Sequence, residues 1–323
     1  MIIGKWSYTR GLHYLGNGAW AYLQPDGSWG WSNAGLITDG DQSLVVDTLF
    51  DLKLTGEMLA AMRSAAPRAT ASIGALVNTH SNGDHCNGNE LVGAREIVAS
   101  KAAAEEMKHE SAAVLANAMR NSAAMGPAGE FLRRIFAPFD FEGITQTLPT
   151  STFEGSAERQ VGAKTVCLIQ VGPAHTRGDV LVHVPADRTV FTGDILFIGG
   201  HPIVWAGPVS NWIRACQRIL EMDVETIVPG HGPITDKRGV SAVKSYLEDV
   251  SREARKRFDC GMPCSEAARD ISRSNFPRSN YSTWTDAERI AVTVASLYRE
   301  FSGDETPPNV IGLFAEMASL AKL

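Results

Sequence analysis

The chain has 323 residues, of which 44% are hydrophobic and 20% are charged, so one large domain or two medium ones can bury a sizeable core. The formal net charge of −6, with no long basic run, argues against nucleic acid and anionic membranes as partners, because both attract clustered lysine and arginine. We expect no secretion signal, since the N-terminus lacks its apolar segment, and no window reaches the roughly 18 apolar residues of a membrane span.

The first hundred residues predict a β-rich region with one helix. Leu54, Met58 and Met62 recur at helical spacing and predict a helix over residues 51–66, and residues 25–27 predict a turn. The strand-sized apolar runs in this region are 19–23, 34–38, 43–48, 73–77 and 96–99.

After residue 100 the pattern becomes helical and then returns to strands. A stretch rich in Ala, Glu and Met predicts a single helix over 101–124, and a second helix is predicted over 211–222 with Ser210 as its N-cap. The strand-sized runs here are 165–171, 179–184, 189–197 and 226–228. From Lys237 onward the pattern is almost wholly helical.

Two β-rich halves that alternate with helices predict two sheets packed face to face, with helices on the outside. We place a domain boundary after residue 236. Residues 1–236 then form the α/β domain, and residues 237–323 form a helical extension packed on it.

The polar loop at 78–89 carries the most informative motif of the chain. It follows an apolar strand directly and places His80, Asp84 and His85 within six residues. A loop anchored by a rigid strand can point all three side chains at one centre. Imidazole and carboxylate groups suit zinc, iron or manganese, so the loop predicts a metal site.

Three further positions repeat one local pattern, a lone His or Asp after an apolar strand, in a turn that contains glycine. They are His175, Asp194 and His231. Glycine lets the chain turn sharply there and leaves room for the side chain to reach a metal. Each position alone is a weak signal, but an ordered set of four such features is much harder to obtain by accident.

As an ordered set, these residues resemble the metallo-β-lactamase superfamily, whose H-x-H-x-D-H motif is followed by a histidine, a bridging Asp or Cys, and a final histidine. The resemblance covers roughly residues 30–235. It implies an α/β fold, an αββα four-layer sandwich of two mixed β-sheets flanked by helices, with the site at one edge between the sheets. It implies His80 and His175 as ligands of a first metal and Asp194 as the bridge. The implied ligands of the second metal are Asp84, His85 and His231.

Asn82 stands where this family's motif has its second histidine. An amide oxygen is a neutral and weaker donor to a transition metal than imidazole. We therefore expect a tightly filled second site and a first site that is weak, empty or selective for another metal. The alternative is that Asn82 binds through its oxygen and both metals bind normally. Zinc is the expected metal, with iron or manganese as alternatives and one or two ions per chain.

The predicted activity is metal-dependent hydrolysis of a small-molecule ester, lactone, thioester or similarly activated bond. A bound metal lowers the pKa of its water from about 15.7 towards 7, which supplies hydroxide as the nucleophile at neutral pH. Asp84 is the expected catalytic residue, which orients the water or passes a proton to the leaving group. The C-terminal helical region resembles that of glyoxalase II-like thioester hydrolases. A mononuclear iron dioxygenase and a non-catalytic relative with a degenerate site remain alternatives.

Several other residues lie in or near the predicted site segments and are candidates for a supporting role. We expect Asp47 to support the metal loop through hydrogen bonds, and Cys86 to be a packed thiol in a cytoplasmic protein whose cysteines are reduced. His201 lies in a loop that could line the pocket, and the tryptophans of the hairpin over 20–31 could cover the site or pack in the core. His201 is nevertheless an expected non-ligand, as are His13, His109 and His183.

The C-terminal region has two amphipathic stretches, one carrying Leu297 and Phe301 and the other Phe314 and Met317. Packing on the parent sandwich explains them most simply. A chain that ends in such an apolar helix often contributes to a subunit interface, so we also expect a homo-oligomer formed through these helices.

Overall fold

The computed structural model describes residues 6–274 and 279–321, and two β-sheets form its centre. The first sheet has seven strands in chain order: β1 (Gly11–Gly16), β2 (Ala19–Leu23), β3 (Ala34–Asp39), β4 (Gln42–Val46), β5 (Ala75–Val77), β6 (Glu96–Ser100) and β7 (Ser151–Phe153). Neighbouring strands from β1 to β4 are antiparallel, and those from β4 to β7 are parallel.

The second sheet has five strands: β8 (Ser156–Val161), β9 (Lys164–Gln170), β10 (Val180–Val184), β11 (Thr189–Phe191) and β12 (Thr226–Val228). Their spatial order is β12-β11-β10-β9-β8, and only β11 and β12 are parallel. Both sheets are therefore mixed, as the sequence predicts. The strands β1, β7 and β8 were not assigned from the sequence; β8 is an edge strand whose side chains are largely polar.

Eleven α-helices are present in the described part of the chain. They are α1 (Leu52–Ala65), α2 (Gly83–Cys86), α3 (Asn89–Val92), α4 (Lys101–Met107), α5 (Ala112–Asn121), α6 (Gly126–Phe136), α7 (Val209–Glu221), α8 (Lys237–Asp259), α9 (Cys264–Ser274), α10 (Ile290–Ser302) and α11 (Val310–Leu320). Within the same residues, none is long and apolar enough to cross a membrane.

Alternating side chains divide the strands between two apolar cores. Leu44 and Val46 of β4 face the second sheet and pack in one cluster with Val182 and Phe191. Val45, which lies between the first two, belongs to a second cluster that includes helix residues. Because side chains alternate between the two faces of a strand, each sheet is covered on one face by the other sheet and on the other by helices. The predicted αββα sandwich is confirmed.

The same alternation accounts for where the covering helices lie. The second cluster joins outward residues of the first sheet to Met58 and Met62 of α1. It also joins outward residues of the second sheet to Trp212 of α7 and Tyr246 of α8. Among the C-terminal helices, α8 packs on α7, and α11 packs on α6. The division of the chain after residue 236 stays a prediction.

The single helix predicted over 101–124 is wrong. The structure breaks it between α4 and α5, and Ser111 is extended with φ −111° and ψ 150°. The side chain of Gln146 donates to the carbonyl of Met107, which an unbroken helix would need for its own ladder. A contact with a distant residue therefore ends the helix where the local composition would continue it.

The predicted N-cap of α7 is also wrong. The helix begins at Val209, with Pro208 in the N-cap position and Ser210 inside the first turn. The backbone N–H of Val209 donates to Glu300 Oε2 at 2.9 Å. A carboxylate from α10 thus accepts from a free N–H group at the start of the helix and complements the helix dipole. This is the capping role that the sequence predicted for Ser210.

Gly35 of β3 lies directly against the ring of Phe191 in the second sheet. A Cβ atom at this position would lie 2.3 Å from Cε1 of Phe191. We predict that Gly35→Ala lowers the free energy of unfolding by about 1–3 kcal/mol, because the ring must move within a packed core. Urea denaturation measures this.

Gly56→Ala is the matched control for that substitution. A Cβ at Gly56, inside α1, would meet nothing within 4 Å. The same change should therefore leave stability unchanged or raise it by up to about 1 kcal/mol through helix propensity. Equal effects of the two substitutions would contradict the close sheet contact.

Candidate metal centre

The ends of parallel strands bring the candidate residues to one edge of the sandwich. Asp47 directly follows β4, His80 follows β5, Asp194 follows β11 and His231 follows β12. The two sheets meet at this edge, where the backbone N–H of residue 180 in β10 donates to the carbonyl of Thr79 at 2.9 Å. Strands supply a rigid base, so the side chains that follow them are held in fixed positions.

The loop after β5 is pinned from both sides. The carbonyl of His85 accepts hydrogen bonds from the backbone of Thr48 and from the side chain of Asn78, both at 3.0 Å. Asp84 and His85 themselves lie on the one-turn helix α2, so part of the predicted polar loop is helical. The helix turn directs both side chains towards the same edge of the sandwich.

Asp194 lies at the centre of four imidazole rings. His85 Nε2 lies 3.1 Å from Asp194 Oδ1. The Nε2 atoms of His175 and His231 each lie 3.4 Å from Oδ2, and that of His80 lies 3.7 Å from it. Asp84 reaches the same cluster, with its Oδ2 3.3 Å from Nε2 of His231. All six residues proposed as ligands are thus brought together.

Two groups of three residues have ligand atoms within 4.8 Å of one another. One is Asp84, His85 and His231, the trio predicted for the second metal. The other is His80, His85 and Asp194. His175 is not in it, although its Nε2 lies 3.4 Å from Asp194 Oδ2; the same Nε2 lies 2.7 Å from the side-chain oxygen of Asn82. The division of the six residues between two metals stays a prediction.

Three buried polar atoms of this cluster have no hydrogen-bond partner. They are His80 Nε2, His85 Nε2 and Asp194 Oδ1. The last two lie 3.1 Å apart but are not aligned for a hydrogen bond. Buried polar groups are rarely left unpaired, since each costs about 1–3 kcal/mol. A cation would satisfy all three atoms, so the donor set fits a divalent metal.

Each imidazole is held through its other nitrogen. The Nδ1 partners are Asp47 Oδ2 for His85 (2.9 Å), the Ile203 carbonyl for His175 (2.7 Å), the Gly27 carbonyl for His231 (3.1 Å) and Thr79 Oγ1 for His80 (3.0 Å). Carbonyl and carboxylate oxygens only accept, so Nδ1 carries the proton in the neutral rings. The lone pair is then on Nε2, which faces Asp194, and this is the arrangement of a metal-ligating histidine.

Opposing effects set the charges inside the cluster. Burial raises the pKa of Asp194, but His231 and His85 outweigh burial and hold this pKa well below its ordinary value. Burial lowers the pKa of His80 well below its ordinary value, so this ring is neutral. A carboxylate and a neutral imidazole are the forms that bind a metal. Burial lowers the pKa of His85 and His231, but the neighbouring carboxylates outweigh it and raise the pKa of both, to about 9 for His231, so these two rings would release a proton on metal binding.

A pocket of about 830 Å³ opens above the cluster. Asp84, His175, Asp194 and His231 line its floor. Its walls carry a series of large apolar side chains: Trp29, Phe50, Phe136, Phe197, Trp205 and Phe314. Its charged lining residues further out include Glu106, Glu110, Arg177 and Arg299. The arrangement suits a ligand with a bulky apolar part and a polar centre.

The tryptophans of the predicted hairpin have separate roles. Trp29 lines the pocket, Trp31 packs against the ring of Phe139 at 4.8 Å, and Trp20 packs against Tyr14 at 4.5 Å. One tryptophan of the hairpin therefore lines the site, and the other two pack against neighbouring aromatic rings. The thiol of Cys86 donates to backbone carbonyls of the metal loop, as expected of a packed cysteine.

His201 does not line the pocket, although its loop does through Ile203 and Trp205. Its ring is buried against Trp284, and its Nδ1 lies 3.1 Å from the hydroxyl of Tyr246. The loop thus lines the pocket, whereas the ring of His201 is buried by residues of the C-terminal helical region, which lie far away in sequence. His109, an expected non-ligand, lies in the outer lining of the pocket.

Arg289 is a pocket residue that sequence reasoning did not place. Its side chain is only 2% exposed, and its guanidinium carbon lies 4.4 Å from the centre of the Trp29 ring and 5.2 Å from that of Phe197. Phe197 in turn stacks on His231, with ring centres 5.0 Å apart. The C-terminal region thus forms one side of the pocket.

The profile of the metallo-beta-lactamase superfamily matches residues 27–231, well over half of the sequence, and the chain belongs to this superfamily. It is 24% identical over 212 residues to the acyl-coenzyme A thioesterase MBLAC2 of Bos taurus, across 62% of this chain and 72% of that protein.

Solved structures share the fold at low identity. A metallo-beta-lactamase from Pontibacter korlensis superimposes with a TM-score of 0.56 and 17% identity, over 74% of this chain and 99% of that one. The stereoselective inverting sec-alkylsulfatase Pisa1 from Pseudomonas sp. superimposes with a TM-score of 0.68 and 15% identity. That match covers 93% of this chain but only 52% of the sulfatase.

Asp47 supports the cluster and lies in neither group of three, which agrees with its expected role. It is buried, has φ 60°, and accepts from both the backbone and the hydroxyl of Thr79 at 2.7 Å as well as facing His85 Nδ1. We predict that Asp47→Asn weakens metal binding about 10- to 100-fold, because the charge that orients His85 is lost. Asparagine tolerates this left-handed backbone, so the fold should remain. Dialysis against metal buffers followed by elemental analysis measures the affinity.

Asp51→Asn is the control for that experiment. Asp51 caps α1 by accepting from the backbone of Leu54 at 2.8 Å and touches none of the candidate ligands. It should alter stability and leave metal affinity within about twofold. Wild-type metal affinity in Asp47→Asn would show that Asp47 does not act through His85.

Proposed function

We propose that the protein is a metal-dependent hydrolase that cleaves an ester, lactone, thioester or similarly activated bond of a small molecule. One observation carries the proposal: the Nε2 atoms of four imidazoles converge on the buried Asp194 at the floor of a largely apolar pocket. The residues that would hold the metal are His80, Asp84, His85, His175, Asp194 and His231, with Asn82 as a further candidate.

Zinc suits the imidazole-rich donor set best, and iron or manganese are compatible with it. When bound, a divalent metal lowers the pKa of its water from about 15.7 towards 7 and polarises the substrate carbonyl. The floor of the pocket is where Asp84, His175 and Asp194 all face the ligand space, so the scissile bond would lie there.

Asp84 is the residue we propose for proton transfer. Burial raises the pKa of Asp84, but His85 and His231 outweigh it, so the net pKa is lowered and the side chain is a carboxylate at neutral pH. It lies at the pocket floor beside His231, where it can orient the attacking water, take a proton from it and pass that proton to the leaving group.

We predict that Asp84→Asn lowers kcat about 10²- to 10⁴-fold while KM changes only a few-fold, because the amide cannot accept the proton. Steady-state kinetics with metal-saturated protein measure both values, and metal content must be determined in parallel. A near-normal kcat at full metal loading would show that Asp84 is not the proton-transfer residue.

The apolar walls favour a substrate with an extended acyl group. Trp205 and Phe314 stack with ring centres 6.3 Å apart and line one side of the pocket. A thioester is the bond we propose within this class, and the acyl-coenzyme A thioesterase named among the relatives supports that choice. The proposed substrate is therefore an acyl thioester whose chain packs along the aromatic wall.

Phe314→Ala tests this wall. It should reduce kcat/KM about tenfold for a long acyl chain and at most twofold for an acetyl group, because only the long chain contacts the ring. Tyr14→Ala removes an aromatic ring that is 51% exposed and outside the pocket, and should change neither value. Equal losses on long and short chains in Phe314→Ala would place the acyl group elsewhere.

The decisive test of the function compares metal-stripped and metal-restored protein on ester, lactone and thioester substrates. Hydrolysis should disappear on chelation and return with zinc or manganese under anaerobic conditions. Oxygen consumption by the iron-loaded protein, without hydrolysis, would instead support a dioxygenase.

We also propose a cytoplasmic protein that forms a homo-oligomer through its C-terminal helices. Val310 and Ile311 of α11 are 47% and 65% exposed, which leaves apolar surface at the start of that helix. Light scattering on purified protein tests this, and a monomer at micromolar concentration would contradict it.

A further inference from the structure

Asn82, the residue that departs from the family motif, makes two different contacts through its amide. Its Oδ1 lies 2.7 Å from Nε2 of His175, and its Nδ2 donates to Oε2 of Glu110 at 3.3 Å. The oxygen therefore faces the metal cluster, and the nitrogen faces away from it. Asn82 also lines the pocket, as does Glu110.

The contact with His175 is unusual because, when the imidazole ring is neutral, both of the atoms that meet are hydrogen-bond acceptors. His175 Nδ1 lies 2.7 Å from the carbonyl of Ile203, which only accepts, so Nδ1 carries the ring proton. His175 Nε2 and Asn82 Oδ1 then both present lone pairs, and at 2.7 Å these repel each other unless both point at a cation. The buried and unpartnered Nε2 of His80 and the carboxylate of Asp194 face the same space.

Glu110 decides which end of the amide faces the cluster. If the amide were rotated, Nδ2 would donate to the lone pair of His175 Nε2, which is favourable. However, Oδ1 would then face the Glu110 carboxylate, and the two oxygens would repel each other. Glu110 lies in the break between α4 and α5, where the side chain of Gln146 bonds the carbonyl of Met107. The break therefore fixes the position of Glu110 relative to Asn82.

We infer that Asn82 is a metal ligand through Oδ1 and that Glu110 is the positioning residue that keeps this oxygen turned to the metal. The first site then has two imidazole nitrogens, one amide oxygen and one carboxylate oxygen, from His80, His175, Asn82 and Asp194. It is a complete site with one neutral oxygen donor, and both sites bind a divalent metal. The inference rests on the metal centre of the proposed function.

The test is a Zn²⁺ titration of the metal-free full-length protein by calorimetry, with elemental analysis after equilibrium dialysis. Wild-type protein should bind two ions per chain. Glu110→Ala should weaken the weaker site about 10- to 100-fold and leave the tighter site within threefold, because loss of an outer partner typically costs this much. Circular dichroism checks that the variants are folded.

Three further variants separate orientation from a general loss of charge. Glu106→Ala removes the neighbouring carboxylate, which accepts from Ser81 and from the backbone of Arg177 rather than from Asn82, and should leave both sites within threefold. Asn82→Asp in the Glu110→Ala background should restore the weaker site, because a carboxylate presents an oxygen in either rotamer. Glu110→Lys, which favours the rotated amide, should reproduce the loss.

One ion per wild-type chain overturns the inference, and so does two-ion binding by Glu110→Ala at wild-type affinity. Loss of binding in Glu106→Ala equal to that in Glu110→Ala also overturns it, since it would show that nearby charge suffices. These measurements use no substrate. A protein that binds two ions but hydrolyses nothing would overturn the proposed function alone, and one that hydrolyses with a single ion would overturn only this inference.

Discussion

The buried carboxylate of Asp194 is the constraint around which the rest of the site is arranged. A negative charge at 4% exposure is costly unless positive or strongly polar groups surround it. Four imidazoles do so here, and their alignment depends on what holds their other nitrogens. The imidazoles follow β5, β9 and β12, and Asp194 itself follows β11, so the fold brings these groups together from four separate strand ends.

Each histidine is oriented by a different part of the chain, and this couples the cluster to the pocket. The Gly27 carbonyl holds His231, and the next residue, Ser28, donates to Asp286 at 2.7 Å. Trp29 donates to Glu288 at 3.0 Å. The C-terminal segment therefore braces the turn that orients a candidate ligand while Arg289 closes the pocket beside it. A change in this segment can reach the metal centre without touching it.

The superfamily match ends at residue 231, and Phe314 of the apolar wall and the pocket residue Arg289 come from beyond it. The matched region provides the cluster that would perform the chemistry, and the helices after it shape the space that a substrate must fill. Function within a widely used fold is decided by such a site rather than by the fold itself. The aromatic wall is for this reason the feature that most narrows the substrate class.

The sequence alone determined the sandwich and the six residues that the structure brings together at the candidate metal centre, because alternating apolar residues and glycine turns after strands are local patterns. His80, Asp84, His85, His175, Asp194 and His231 were all found this way. Tertiary structure alone decided the break after α4, the cap of α7 by Glu300, the burial of His201 and the pairing of Asn82 with Glu110. Each depends on a partner far along the chain: 39 residues for Met107 and Gln146, 91 for Val209 and Glu300, and 28 for Asn82 and Glu110. The local sequence gives the residue types and the spacing of the apolar residues. Hydrogen bonds between residues far apart in the sequence form only once the chain has packed.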